Sequence, residues 1–419
     1  MKKAIIIGSG ISGLSISRML SNRFDVEILE RQDKYGGMIK CERINGNLFH
    51  KVGGHVFNSR NQEVLNWFWG HFDKDNEFLK AQRNAKIYID NQYIGYPIEN
   101  YLYQLPESQL HSIVNELLEK IGQQNHENSK YSNFKEFLIT KFGNKLYELY
   151  FGPYNSKIWD TDLEQVPLEW LDGKLPMPDL KEVIFSNIAK KEEINMVHSS
   201  FYYARREGSQ FIVDRLAKDL NITCSYTVSS IKKLDNNKLS INDKDRIADS
   251  IVFCGDVRQL INTIDIEDQL LKESLMKVSE LHSNGTSNVL CETDPNDLSW
   301  LYLPEKKYKA HRIIYTGNFS NSNNEGTNRK TCVVEFSGKQ DSLTIQKELK
   351  LLPGNLKPLA YNYEPNSYII QNKSTRKDIA LIKSRLKIYG IHLLGRFAEW
   401  EYYNMDKCIE AAMDLNKTL

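Results

Sequence analysis

Apolar positions along this chain switch between two periods, and the switches mark its elements. Residues Lys3 to Ile7 form a short β-branched run, the pattern of a strand buried on both faces of a parallel sheet. Gly8-Ser9-Gly10-Ile11-Ser12-Gly13 follows and opens a helical segment, LSISRML; a second strand, Asp25 to Leu29, ends at Glu30. Helix-like periodicity dominates from about Leu105 to Ile188, broken by a Pro-containing loop from Trp159 to Pro178. From Asn221 the pattern turns to strands, in ITCSYTVSSIKKL, LSIND and ADSIVFCG, and a further strand-rich stretch runs from about Ser287 to Phe336. The tail reads as a strand (IHLLG), a loop (RFAEWEYYN) and a closing helix (MDKCIEAAMDL). No internal repeat is visible, and the Asn/Ser-rich tract from Asn318 to Arg329 is expected to be a mobile surface loop. A nucleotide-type unit that recurs at the extreme C-terminus implies an interleaved fold, with inserted segments forming the substrate side.

Composition narrows the function classes. At 419 residues the chain exceeds one simple core, so two or three cooperating domains are expected. A net charge of +1, from 55 basic and 54 acidic side chains, argues against a general nucleic-acid binder while allowing a local anion site. The 22 Tyr and 6 Trp are a high aromatic load, much of it in the middle of the chain. Six cysteines (Cys41, Cys224, Cys254, Cys291, Cys332, Cys408) show no CxxC pair and no metal-like spacing, so reduced thiols and no metal site are expected. No apolar run approaches the roughly 20 residues that span a bilayer. Gly8 and Gly10 interrupt the first apolar run too soon for a signal peptide. The expectation is a cytoplasmic protein without a membrane partner.

A lone GxGxxG is a weak motif, but here Gly8, Gly10 and Gly13 follow a strand, open a helix, and are answered by Glu30 at the end of the next strand. The first glycine makes the tight turn, the second lets backbone approach a pyrophosphate, and the third lets helix pack on strand. The helix N-terminus, with Ile11 and Ser12, offers free N–H groups to the phosphates, and Glu30, followed by Arg31, can accept from an adenosine ribose. This unit alone leaves FAD and NAD open.

Further segments favour FAD. Gly36-Gly37-Met38 follows Glu30 by six residues, and then comes CERINGNLFHKVGGHVF. This arrangement resembles the flavoproteins that include amine oxidases, protoporphyrinogen oxidase and the UDP-galactopyranose mutases. Gly395-Arg396 in HLLGR resembles their second flavin-contacting segment, and Asn404-Met405 would offer backbone donors to the flavin. Val228 completes the cofactor set. Blocks spread over nearly the whole chain resemble the mutases in particular. Gly53-Gly54-His55 resembles their flexible histidine loop, which lies against the flavin. RNAKIYIDNQYIGYPIEN places Arg83, Tyr96 and Glu99 toward substrate; PYNSKIW gives Asn155 and Trp159; WLYLPE with HRIIYTGNFS gives Tyr302 and Arg312 as diphosphate contacts; GRFAEWEYYNMD gives Arg396, Tyr402 and Asn404.

The resemblance implies a non-covalent FAD, active when reduced, whose N5 forms an adduct with the sugar of a nucleotide-diphosphate sugar while pyranose and furanose forms interchange. UDP-galactopyranose is the default substrate, and an external reductant is implied. Cations and phenols at Arg312, Tyr302 and Tyr402 suit a leaving diphosphate. Read alone, Trp159 is a core aromatic; the resemblance makes it a wall for the sugar. His55, Lys174, Arg312 and Arg396 form the expected catalytic set. Lys174 stands where the mutases carry a mobile arginine, and a lysine offers a point charge without the bidentate fork. Phe319 replaces a tyrosine, and Asn58 a second histidine.

The expected fold is α/β. A Rossmann-type FAD-binding domain (1–80, 201–260, 376–419) interleaves with an antiparallel β-sheet substrate domain (81–104, 261–375) and a helical domain with a mobile loop (105–200). Two other functions share the cofactor segments: an FAD oxidase or dehydrogenase of the amine-oxidase or protoporphyrinogen-oxidase type, and a non-enzymatic binding protein like the GDP-dissociation inhibitors. The intact glycine cradle speaks against the latter. Homo-oligomerisation is left open.

Overall fold

Five short strands far apart in sequence form one parallel sheet in the computed structural model, which describes residues 1–123, 131–168, 179–190 and 199–419. Their spatial order is Ile391–Leu393, Ser250–Phe253, Lys2–Ile7, Phe24–Leu29, Asn221–Thr223. Ile5, Ile251 and Ile391 lie on one rung across the sheet, all fully buried, as expected where both faces are covered. The two ends of the chain meet here: the helix Ile11–Leu20 packs on the closing helix Met405–Asn416. Interleaving of N-terminal, middle and C-terminal segments is therefore observed directly. The strand expected to run through ITCSYTVSSIKKL is broken: it pairs over Asn221–Thr223 and again over Ile231–Lys233, and the turn between them curls toward the cavity described below.

The second layer is a seven-stranded sheet ordered Lys357–Ile369, Ser283–Thr293, Lys330–Ser337, Ala310–Ile314, Trp300–Tyr302, Ala85–Ile89, Gln92–Gly95. All its pairs are antiparallel except Trp300–Tyr302 with Ala85–Ile89. In the strand Ala310–Ile314 the register slips between Ala310 and Arg312, a bulge centred on His311.

Helices Glu107–Gln123, Phe134–Leu146, Gly152–Trp159 and Leu180–Ile188 form the third part. A π-helical turn, Tyr147–Phe151, precedes the third of these. The tract Asn318–Arg329 is not the loose loop its composition suggests. Asn323 is fully buried and donates to the Tyr203 hydroxyl at 2.8 Å, and Ser320 Oγ donates to the Arg205 carbonyl at 2.6 Å. Short Asn and Ser side chains here satisfy turn backbone and neighbours instead of solvent. Among the described residues no helix is long and apolar enough to cross a membrane.

Candidate cofactor and substrate site

A single cavity of about 700 Å³ runs between the parallel sheet and the seven-stranded sheet. Its floor is the glycine turn. A Cβ on Gly13 would stand 2.0 Å from the Gly8 carbonyl oxygen, so only glycine lets the helix approach its strand this closely. Gly37, in the left-handed region at φ 55°, crosses Gly10 so tightly that a Cβ would lie 3.0 Å from its Cα. Glu30 is buried at the end of its strand. Its Oε2 accepts from Ser9 N at 3.0 Å and Ser9 Oγ at 2.6 Å, and Oε1 from Gln32 N at 2.9 Å. Three of roughly four lone-pair sites are thereby used, leaving acceptor capacity on Oε1 for a ribose hydroxyl. Gly395 closes the floor against Ser12, where a Cβ would lie 2.6 Å from the hydroxyl oxygen. A glycine floor, a free helix N-terminus and a carboxylate on the next strand fit the adenosine diphosphate half of FAD.

The roof is polar and aromatic. Arg83 is half-buried and donates to the Tyr302 hydroxyl; its guanidinium lies 4.9 Å from the Tyr96 ring centre and 5.1 Å from that of Trp300. No carboxylate pairs with it among the described residues, and its Nε has no partner there. Arg312 is held differently: its Nη2 contacts Glu335 Oε1 at 3.0 Å and Oε2 at 2.9 Å. Burial would raise the Glu335 carboxyl, but Arg312 and His311 hold it far below the usual carboxylate range. Arg396 donates to the Tyr403 carbonyl from Nε at 2.9 Å and lies 4.5 Å from the centre of the Tyr402 ring.

His55 sits on the half-buried loop between floor and roof. The loop is set by the sheet: Gly53 N–H donates to Asn288 Oδ1 at 3.0 Å, and a Cβ on Gly54 would collide with Ile314 at 2.6 Å. Burial first, then the Arg396 and Arg312 charges, push the imidazole down to about 4, so His55 is neutral at pH 7. Burial likewise raises the Tyr96, Tyr154 and Tyr368 phenols, which remain protonated donors.

Most of the residues singled out from the sequence meet on this wall. They are Gly8, Gly10, Ile11, Ser12, Glu30, Arg31, Gly36, Gly37, Met38, Gly53, Gly54, His55, Val228, Gly395, Asn404 and Met405, with Arg83, Tyr96, Tyr302, Arg312, Arg396 and Tyr402. Gly13 lies just behind the floor.

Three residues lie off the wall. Trp159 packs edgewise in the helical core, 5.2 Å from Phe134. Asn155 turns back to donate to the Phe151 carbonyl at 2.7 Å. Glu99 is buried behind Tyr96, and its carbonyl accepts from Asn187 at 2.7 Å. Their helix presents Tyr154 instead, 5.4 Å from Tyr302. Lys174 lies outside the described residues.

Sequence reading missed Glu335, Tyr368 and Asn288, each carried by a strand whose partners only the sheet register reveals. It also missed Tyr226 and Thr227, beside Val228 on the broken strand.

Comparison with known proteins agrees with this geometry. Residues 6–72 match the NAD(P)-binding Rossmann-like domain. A Mycoplasma genitalium UDP-galactopyranose mutase is 22% identical over 434 residues, spanning 97% of this chain and 91% of that protein. An Escherichia coli dTDP-fucopyranose mutase is 30% identical over 182 residues, 42% of this chain and 46% of the relative. A solved structure of reduced UDP-galactopyranose mutase superposes with a TM-score of 0.87 at 19% identity, covering 100% of this chain and 93% of the other. A parallel sheet with a glycine floor, facing an antiparallel sheet across one cavity, places the protein among the FAD-type dinucleotide flavoproteins related to the amine oxidases. Over its full length the chain is a distant homologue of the UDP-galactopyranose mutases.

Proposed function

We propose that this protein is an FAD-dependent mutase that interconverts the pyranose and furanose forms of a nucleotide-diphosphate sugar, with UDP-galactopyranose as default substrate. The observation that carries the reading is the uncompensated guanidinium of Arg83, ringed by Tyr96, Trp300 and Tyr302 on the wall opposite the glycine floor. A buried cation without a carboxylate is costly unless an anion arrives. A diphosphate is such an anion, and the neutral phenols of Tyr96, Tyr302 and Tyr368 donate to its oxygens.

When bound and reduced, FAD supplies the nucleophile for the anomeric carbon. The chain's own groups bind and orient. Glu30 and the turn from Gly8 to Gly13 hold the adenosine diphosphate half, and Arg396, pinned by the Tyr403 carbonyl, fixes the Tyr402 ring beside the cavity. Neutral His55 faces the flavin side without adding a charge. Arg312 and Arg83 stabilise the leaving diphosphate, and Lys174 remains a candidate third cation. We also assign the cytoplasm as its compartment, an external electron donor, and a furanose product destined for polysaccharide. All six cysteines are free, as a reducing compartment requires.

The test incubates dithionite-reduced holoprotein with UDP-galactopyranose, dTDP-fucopyranose and related sugars, and reads anomeric NMR signals. Ring contraction without net oxidation supports the mutase. An oxidised product, or no product from any nucleotide sugar, rejects it.

A further inference from the structure

We propose that His311 is a positioning residue for the substrate wall: acting through Glu335, it holds the Arg312 guanidinium and the Tyr368 hydroxyl at one point of the cavity. The inference rests on the mutase reading above. Side chains of successive strand residues point to opposite faces, so His311 and Arg312 should not reach the same group. The bulge removes that constraint. Between Ala310 and Arg312 the register slips by one residue, and both side chains then aim at Glu335 on the neighbouring strand.

Glu335 Oε1 accepts from three donors, His311 Nε2 at 2.8 Å, Tyr368 OH at 2.8 Å and Arg312 Nη2 at 3.0 Å. His311 is fully buried, and its Nδ1 has no partner among the described residues. It therefore makes one side-chain hydrogen bond, and makes it to this carboxylate. Burial pushes the imidazole down, which keeps it a neutral N–H donor that does not compete with Arg312 for the charge of Glu335. A carboxylate with one fixed neutral donor has fewer rotamers available, so the other two groups it binds inherit a fixed place. Arg312 uses a single nitrogen on Glu335, an arrangement that would pivot freely if the carboxylate turned.

The experiment measures UDP binding to oxidised holoprotein for wild type, His311→Leu and His311→Gln, with FAD content and melting temperature recorded alongside. KM and kcat of the reduced proteins follow for whichever nucleotide sugar turns over. Leucine removes the donor; the glutamine amide can donate from the position of Nε2. His311→Leu is expected to raise the Kd for UDP, and KM with it, about tenfold, while kcat changes by less than about threefold and FAD content is unchanged. His311→Gln is expected to return Kd to within about threefold of wild type. Should His311→Leu fail to fold, His311→Asn, polar but too short to reach Glu335, carries the comparison. UDP affinity unchanged in the Leu or Asn variant, or lost equally in His311→Gln, overturns the inference. Failure of the wild type itself to bind UDP is a separate result, which removes the mutase reading and this inference together.

Discussion

Arg83 and Arg312 face the same cavity but differ in what neutralises them, and that difference sets what each substitution does. Arg83 leans on phenols and an indole, so Arg83→Ala removes a ligand contact and leaves no charge stranded. It should weaken nucleotide-sugar binding by about 1.5–3 kcal/mol, roughly ten- to a hundredfold, with little change in melting temperature. Arg312→Ala strands the buried Glu335 carboxylate and should cost about 3–5 kcal/mol of stability as well as binding. Melting curves with UDP titrations separate the two; equal stability loss in both variants would contradict the assignment. Histidines show the same logic in pH. Burial lowers His50 from 6.5 to about 3 and His55 to about 4, and His311 and His392 move the same way. The unfolded chain takes up protons below its ordinary value of about 6.5 that the folded chain refuses, so stability falls as pH drops. Between pH 6.5 and 4.5 the depressed carboxylates are still ionised in both states, and the histidines dominate. The melting temperature of the holoprotein should therefore decline through that window, and less steeply in His50→Gln. A profile that is flat for the wild type would show that these histidines are not buried neutral.

At the scale of elements, what could be read from the sequence was whatever short-range sterics decide. The β-α-β unit was legible because each demand falls within thirty residues: the backbone contact that forbids a Cβ on Gly13, and the carboxylate of Glu30 that ties the turn through Ser9. Phase was not legible. PYNSKIW keeps the spacing of its motif, but the π-helical turn Tyr147–Phe151 ahead of it rotates the following helix, bringing Tyr154 toward Tyr302 and sending Trp159 into the core beside Phe134. The bulge at His311 is a second case, since one extra residue in a strand re-aims a side chain without altering composition or alternation elsewhere. Trp159→Phe should accordingly leave KM within about twofold while costing roughly 1–2 kcal/mol of stability through imperfect repacking. Tyr154→Phe should do the reverse, raising KM more than it lowers the melting temperature. Kinetics and melts on the two variants check this, and a selective KM effect in Trp159→Phe would return the indole to the sugar.

For the molecule as a whole, one cavity has the cofactor floor on one side and the diphosphate-binding wall on the other, with His55 between them. The floor comes from three distant segments of the chain and the wall from the seven-stranded sheet, so neither half of the site exists without the complete fold. Nothing in the sequence outside its first thirty residues repeats the strand, glycine turn and ribose carboxylate that a second dinucleotide would need. Pyranose and furanose forms of a sugar have the same oxidation state, so their exchange requires electrons to be present but removes none. With oxygen excluded, one reducing equivalent pair per bound FAD should therefore support many turnovers, with the flavin absorbance remaining bleached throughout. The measurement is product formed per electron pair supplied, by anaerobic titration with dithionite followed by NMR of the sugar. A mutase gives a ratio that grows with incubation time, whereas the oxidase or dehydrogenase alternative consumes a stoichiometric co-substrate and is fixed near one product per two electrons. Reappearance of oxidised flavin in step with product would place this protein with the oxidoreductases of the same fold, and the Arg83 and Arg312 wall would then need another anion to explain it.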